Sequence, residues 1–313
     1  MSTRYHVLHT TEYRYGFPVQ TARHILHLSP RVCSWQEVEQ QTLDINPTPA
    51  GQSSGRDSFG NPLTRIELTQ AHQFLHVSSA MTLSVGPRPW LSRLDHGPRW
   101  EAVRDAMVYG SQAVSEPTLE ALAMRFESPG VRVKRELELW AAPSFAPGRP
   151  IIDAARDLMG RIFRDFRYDP KATEVGTSVM EVLEKKHGVC QDFAHLMIGG
   201  LRALGLSARY VSGYLRTDPP AGQPRLIGAD ASHAWVAVYV PDIGWVEFDP
   251  TNDCLADERY LILGWGRDFG DVSPIRGVIQ GGGEHELDVG VTVTPLDEFP
   301  GAVSSCIDET VQT

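Results

Sequence analysis

Among the side chains able to do covalent chemistry, Cys190 occupies the most informative position. Gly188 closes one helical segment just before it, and the apolar stripe Phe193, Met197, Gly200, Leu201 and Leu204 opens another just after. A thiol at a helix start meets unpaired backbone N–H groups and the positive end of the helix dipole, both of which favour a thiolate. The same N–H groups are suited to an oxyanion. A buried, inert thiol is the ordinary alternative for a free cysteine. What weighs against it is the base downstream. His233 opens the run His-Ala-Trp-Val-Ala-Val-Tyr-Val, and Asp249 closes Trp-Val-Glu-Phe-Asp sixteen residues later, with the turn signal Pro241-Asp242-Ile243-Gly244 between them. In a hairpin centred near 241 or 242, the two share a face of the sheet and stand opposite or one diagonal step apart. That is roughly 5–8 Å at Cβ, within reach of a hydrogen bond between the side chains. Such a carboxylate would fix the imidazole tautomer and stabilise the imidazolium.

Neighbouring residues are expected in supporting roles. Asp192 is suited to cap the Cys190 helix by accepting first-turn N–H bonds. Gln191 is either a substrate contact or simply the first helical residue. Trp235, on the His233 face, either walls a cleft or lies in the core. Asn252 is placed to stabilise the turn after Asp249.

The elements that must position these groups follow from patterning. Tyr5, Val7, His9 and Tyr13, Tyr15, Phe17 alternate, and Val77 to Val85 is a β-branched run ended by Gly86-Pro87. Turn clusters at Asn46 to Pro49, Gly51 to Gly55 and Asp57 to Pro62 punctuate this region, so short strands in a β-sandwich are expected over 1–95. Residues 96–150 read as a helical connector, with Ser115 and Pro117 marking a helix start before Leu119, Leu122 and Phe126. Ile151, Ala155, Leu158, Met159, Ile162, Phe163 and Phe166 form an amphipathic stripe. Ser178 and Glu181 have capping-box spacing. Strands are expected at 208–215, 234–240 and 245–248, completing a helix-then-sheet core over 151–263 and an α+β fold. Residues 264–283 read as an irregular loop. The alternation from Glu286 to Thr294 reads as a strand returning to the N-terminal sandwich within 264–296, and 297–313 as a flexible acidic tail.

Bulk properties narrow the function further. The net charge is −10 with no Lys/Arg-rich stretch, which disfavours a nucleic-acid partner. No apolar run reaches the length of a membrane span, and the N-terminus has no signal-like segment. Four scattered cysteines, Cys33, Cys190, Cys254 and Cys306, make no disulfide framework and fit a reducing, cytoplasmic setting.

Four ordered segments around these residues are similar to a known family. Gly188-Val-Cys-Gln-Asp-Phe-Ala-His195, Ala208-Arg-Tyr-Val-Ser-Gly-Tyr214, Ser232-His-Ala-Trp-Val236 and Trp245-Val-Glu-Phe-Asp-Pro-Thr-Asn252 resemble the successive motifs of the transglutaminase-like core. Tyr5 to Tyr15 and Asp57-Ser-Phe-Gly-Asn61 resemble the N-terminal β-domain of bacterial transglutaminase-like proteins, and Gly266 to Gly277 their C-terminal signature. The resemblance implies a papain-like core and a Cys190–His233–Asp249 triad. It also implies acyl transfer through a thioester on a peptide, protein or small amide, with no cofactor. By the same analogy Tyr168 is a candidate second oxyanion donor. Hydrolysis is modestly preferred to amine transfer, since water needs no second pocket; Trp235 and Tyr214 are candidate walls for an amine.

Two other readings compete. A zinc site would draw on His187, Cys190, His195 and Cys254, but lacks a closely spaced Cys pair, so no metal is expected. His24 and His27 lack companion ligands. A non-catalytic binding scaffold would keep the fold, but all three triad residue types are present. Gly281 to Gly283 lacks the Lys-Ser/Thr ending of a phosphate loop and reads as a turn.

Overall fold

The computed structural model describes residues 2–107, 115–170, 176–217 and 232–296. In chain order the first strands are β1 (Thr3–Leu26), β2 (Gln36–Asn46), β3 (Gly51–Arg56), β4 (Pro62–Leu68) and β5 (His72–Val85). Helices α1 (Trp100–Ala106), α2 (Glu116–Ala123), α3 (Arg135–Ala141) and α4 (Ile151–Asp165) follow. Next come β6 (Arg167–Tyr168), α5 (Val179–Lys185), β7 (His187–Gly188) and α6 (Cys190–Ala203). The chain continues through β8 (Ala208–Leu215), β9 (Ser232–Val240), β10 (Gly244–Asp249), β11 (Cys254–Leu255) and β12 (Tyr260–Gly266). It ends with α7 (Phe269–Val272), β13 (Ile275–Gly281) and β14 (His285–Pro295).

The long strand β1 organises the N-terminal sheet. Its alternation buries Tyr5, Val7, His9 and Thr11 on one face, as a half-covered strand should. A register shift between Arg14 and Val19 bends it. The first half pairs with β5 and β14, the second with β4 and β13. The sheet therefore curls over itself and encloses Val19, Leu26, Ile45, Leu68, Leu75 and Val77. The β13–β14 connection runs through Gly281, Gly282 and Gly283, all at positive φ. A Cβ on Gly281 would stand 2.6 Å from the Pro18 carbonyl oxygen, so glycine is required there.

The second sheet is antiparallel, in the order β11-β10-β9-β8-β12. One face, with Ala234, Val236 and Val238, packs on Phe193, Leu196, Met197 and Leu201 of α6. Each such fully buried aliphatic or aromatic side chain contributes about 1.5–3 kcal/mol, which clamps α6 in place. Gly199 and Gly200 let α3 approach α6 closely, since added Cβ atoms would stand 3.0 Å from Leu137 and 3.1 Å from Ala141. Tyr214, Leu261 and Leu263 pack against Tyr5, Val7 and Val293 of the first sheet.

Several details differ from the sequence expectation. Gly51 to Gly55, read as a turn cluster, forms edge strand β3, whose backbone pairs with β4 although its side chains are exposed. Residues 264–283 are not an irregular loop but the end of β12, α7 and β13. Asp268 caps α7 by accepting from Gly270 N at 2.9 Å, while Arg267 pairs with Asp271. Phe163, Leu119 and Phe126 fall outside the cores and are exposed. The tail 297–313, with Cys306, lies outside the described residues.

Candidate active site

The approach to Cys190 is set by local chemistry. Ser178 caps α5, its hydroxyl accepting from Glu181 N at 3.2 Å, and Lys186 stops the helix with φ of 59°. The two-residue β7 then pairs in parallel with β6, and α6 begins at Cys190. A Cβ on Gly188 would lie 2.8 Å from Asp192, so only glycine lets that side chain fold back. Asp192 accepts from Val189 N at 2.9 Å. The carboxylate thus caps the helix by folding back onto the N–H of Val189, the residue just before it. First-turn N–H donors have no carbonyl partner inside the helix.

His233 and Asp249 meet as a diagonal pair. The β9–β10 register runs from Val240↔Gly244 to Val236↔Phe248, which carries Asp249 opposite Trp235 and one diagonal step from His233. His233 Nε2 and Asp249 Oδ2 are 2.8 Å apart. With Nε2 engaged, Nδ1 is the ring nitrogen left for the Cys190 side chain, which is a hydrogen-bond partner of the imidazole. Burial opposes charge on the ring, but the Asp249 charge and hydrogen bond, joined by Cys190, outweigh it and push the His233 pKa up to about 10.

Asp249 is fully buried and saturated with donors. Oδ2 accepts from Asn252 Nδ2 at 2.7 Å and Tyr260 Oη at 2.7 Å besides His233. Oδ1 accepts from Thr251 N at 2.8 Å and Asn252 N at 3.3 Å. Burial would raise this carboxyl, yet the His233 charge and these bonds hold it below its ordinary range. Asn252 thus holds both the turn and the carboxylate. Tyr260 was not singled out from sequence. It opens an apolar strand-like run three strands away in sheet order, and nothing local links it to Asp249.

The other candidates separate. Tyr168, half exposed, packs its ring on Phe193 and lies within electrostatic reach of Cys190; burial, then that charge, raises its pKa. Gln191 is the second residue of α6, not the first, and lines a groove of about 450 Å³ with Arg132, Lys134, Met180, His195 and Phe269. Trp235 does not wall a cleft. It is fully buried, stacks near-parallel to His233 at 6.1 Å between centroids, and donates Nε1–H to Glu247 at 3.1 Å. Tyr214 is likewise buried, its hydroxyl 2.9 Å from His9 Nδ1.

The zinc set does not assemble. His195 Nε2 accepts from Phe269 N at 3.1 Å, and burial lowers its pKa to about 4. The Cys254 thiol is 3.1 Å from Tyr260 Oη. Among the described residues no group of three or more His, Cys, Asp or Glu side chains is arranged to hold a metal. His24 and His27 are buried in the N-terminal unit.

A cysteine at a helix start, an imidazole on the adjoining sheet and a buried carboxylate behind it meet on an α+β core. Residues 140–250 match the transglutaminase-like superfamily, and residues 5–84 match the bacterial transglutaminase-like N-terminal region. An uncharacterized protein of Mycobacterium tuberculosis is 43% identical over 302 residues, 94% of this chain and 93% of its own. The chain belongs to the transglutaminase-like superfamily. A protein-glutamine gamma-glutamyltransferase of Pseudomonas aeruginosa is 35% identical over 97 residues, 30% of this chain and 14% of that protein. The solved structure of "a putative cysteine protease from Cytophaga hutchinsonii" shares the fold, with TM-score 0.74 and 17% identity over 96% of this chain and 93% of that one.

Proposed function

We propose that this protein is a cysteine amidase or peptidase that cleaves an amide through a thioester on Cys190. His233 takes the thiol proton through Nδ1 and returns it to the leaving amine, and Asp249 holds the imidazolium. Backbone N–H groups at the start of α6, with Tyr168 as a second donor, receive the oxyanion. The thioester carbon is then attacked by water, which restores the thiol. The observation that carries this reading is the 2.8 Å His233–Asp249 contact beside the Cys190 thiol.

Water is the preferred acceptor because the two aromatics suited to enclose an amine, Trp235 and Tyr214, are fully buried and committed to other partners. The groove lined by Gln191, the residue that follows Cys190 in α6, is the candidate place for the acyl donor. Cys33, Cys190 and Cys254 are all free thiols, which supports a reducing, cytoplasmic compartment. Among the described residues no helix is long and apolar enough to cross a membrane.

The test is a library of amide and peptide substrates incubated with wild type and Cys190→Ser, with and without a primary amine, and read by mass spectrometry. The expected result is hydrolysed product and an acyl adduct on Cys190, both absent in the variant. Product carrying the amine in place of hydrolysed product would make the enzyme a transglutaminase. Turnover that survives in Cys190→Ser would end the proposal.

A further inference from the structure

Tyr260 shapes the site from an unexpected direction. In the sheet order, β12 is separated from β10 by β9 and β8, yet the Tyr260 ring reaches across to Asp249. Every other bond to the Asp249 carboxylate except that of His233 comes from residues 251 and 252, in the turn that Asp249 itself begins. Tyr260 is the donor that ties the carboxylate to a separate element.

The phenol is held as firmly as what it holds. Its side chain is buried, its ring packs edge-on against Trp235 at 5.3 Å and lies 6.0 Å from the His233 ring. Its carbonyl accepts from Arg88 Nη2 at 2.8 Å. The same guanidinium contacts Glu247 at 3.3 Å, and Glu247 receives the Trp235 indole N–H. Trp235 and Tyr260 therefore flank the imidazole, both anchored to one buried ion pair. Burial first, and then the Asp249 charge, keep the phenol protonated, so its hydroxyl is a donor towards the carboxylate.

We infer that Tyr260 is a positioning residue for the Cys190–His233–Asp249 site: its hydroxyl, 2.7 Å from Asp249 Oδ2, aims that oxygen at His233. The inference rests on the proposed role of the triad. It does not need the substrate to be known, because alkylation of Cys190 reports the supported thiol directly.

Tyr260→Phe removes the hydroxyl and leaves the buried ring. The expected result with iodoacetamide is a roughly tenfold slower labelling of Cys190 at neutral pH. The pH below which labelling is lost should move up by about one unit, since Asp249 loses a donor that favours its charged form. Cys254→Ala, which removes the thiol on the far side of the hydroxyl and leaves the Asp249 bond, is expected to label within about twofold of wild type. A packing role alone would lower thermal stability while leaving the acid limit of labelling unmoved, and that outcome overturns the inference. So does a Tyr260→Phe protein that labels like wild type. Failure of the triad reading looks different: wild-type Cys190 would then label no faster than Cys33.

Discussion

Replacing Asp249 with Asn tests the electrostatics of the site through folding stability, without any substrate. The two side chains are nearly isosteric, so the change is chiefly one of charge in a fully buried position. Raising the His233 pKa from 6.5 to about 10 corresponds to roughly 5 kcal/mol at about 1.4 kcal/mol per unit. Burial opposes the shift, and Asp249 supplies the leading favourable contributions ahead of Cys190; removing one partner of such a buried pair costs about 3–5 kcal/mol. A raised histidine pKa stabilises the fold fully below 6.5, and that stabilisation is lost as the pH rises through 10. The depressed Asp249 carboxyl stabilises above its unfolded value of 3.8, and this is lost as the pH falls through its folded value. The pair therefore contributes most between about pH 4 and 6.5. Urea unfolding of Cys190→Ser and Cys190→Ser/Asp249→Asn should differ by about 3 kcal/mol near pH 5.5 and by under about 1 kcal/mol near pH 10. The Cys190→Ser background isolates the carboxylate. A difference that is the same at both pH values, or larger at the higher one, would refute the reasoning.

Three other outcomes are open to measurement. Arg88→Met leaves the fully buried Glu247 without its cation and should cost about 3–5 kcal/mol by urea unfolding, with a blue- or red-shifted Trp235 emission as its support loosens. An unchanged midpoint would contradict the buried pair. Gly188→Ala places a Cβ 2.8 Å from Asp192 and should cost about 1–3 kcal/mol while slowing Cys190 alkylation, because the return bond to Val189 N is displaced. Dialysis against a strong chelator should leave Cys190 labelling unchanged; a loss restored by zinc would revive the metal reading.

The site was readable where one local rule determined it. Parity along β9 and β10 puts His233 and Asp249 on one face, and the structure joins them diagonally at 2.8 Å. Gly188 and the stripe from Phe193 locate the helix start at Cys190. What resisted reading depends on contacts distant in sequence. Tyr260 reaches Asp249 only because β12 joins β8 on the far side of the sheet, and Arg88 reaches Glu247 from just beyond β5. Amphipathic placement also hid the fate of Trp235: an indole on the face of the candidate histidine can line a cleft or pack beside the ring, and its burial places it beside the ring. The turn-rich composition of Gly51 to Gly55 concealed strand β3, because an exposed edge needs only backbone pairing and shows no apolar alternation. The segment after β12 read as a loop for a related reason. Its short helix is held by Asp268 and His195 rather than by an apolar stripe.

The most direct measurement is competition between thiols. Limiting iodoacetamide at neutral pH, followed by peptide mapping, ranks Cys190 against Cys33 and Cys254, whose pKa values are raised by burial. Cys190 should label at least tenfold faster than either, and His233→Gln should remove that advantage. Equal labelling of Cys190, Cys33 and Cys254, or a Cys190 advantage that persists without His233, would contradict the account.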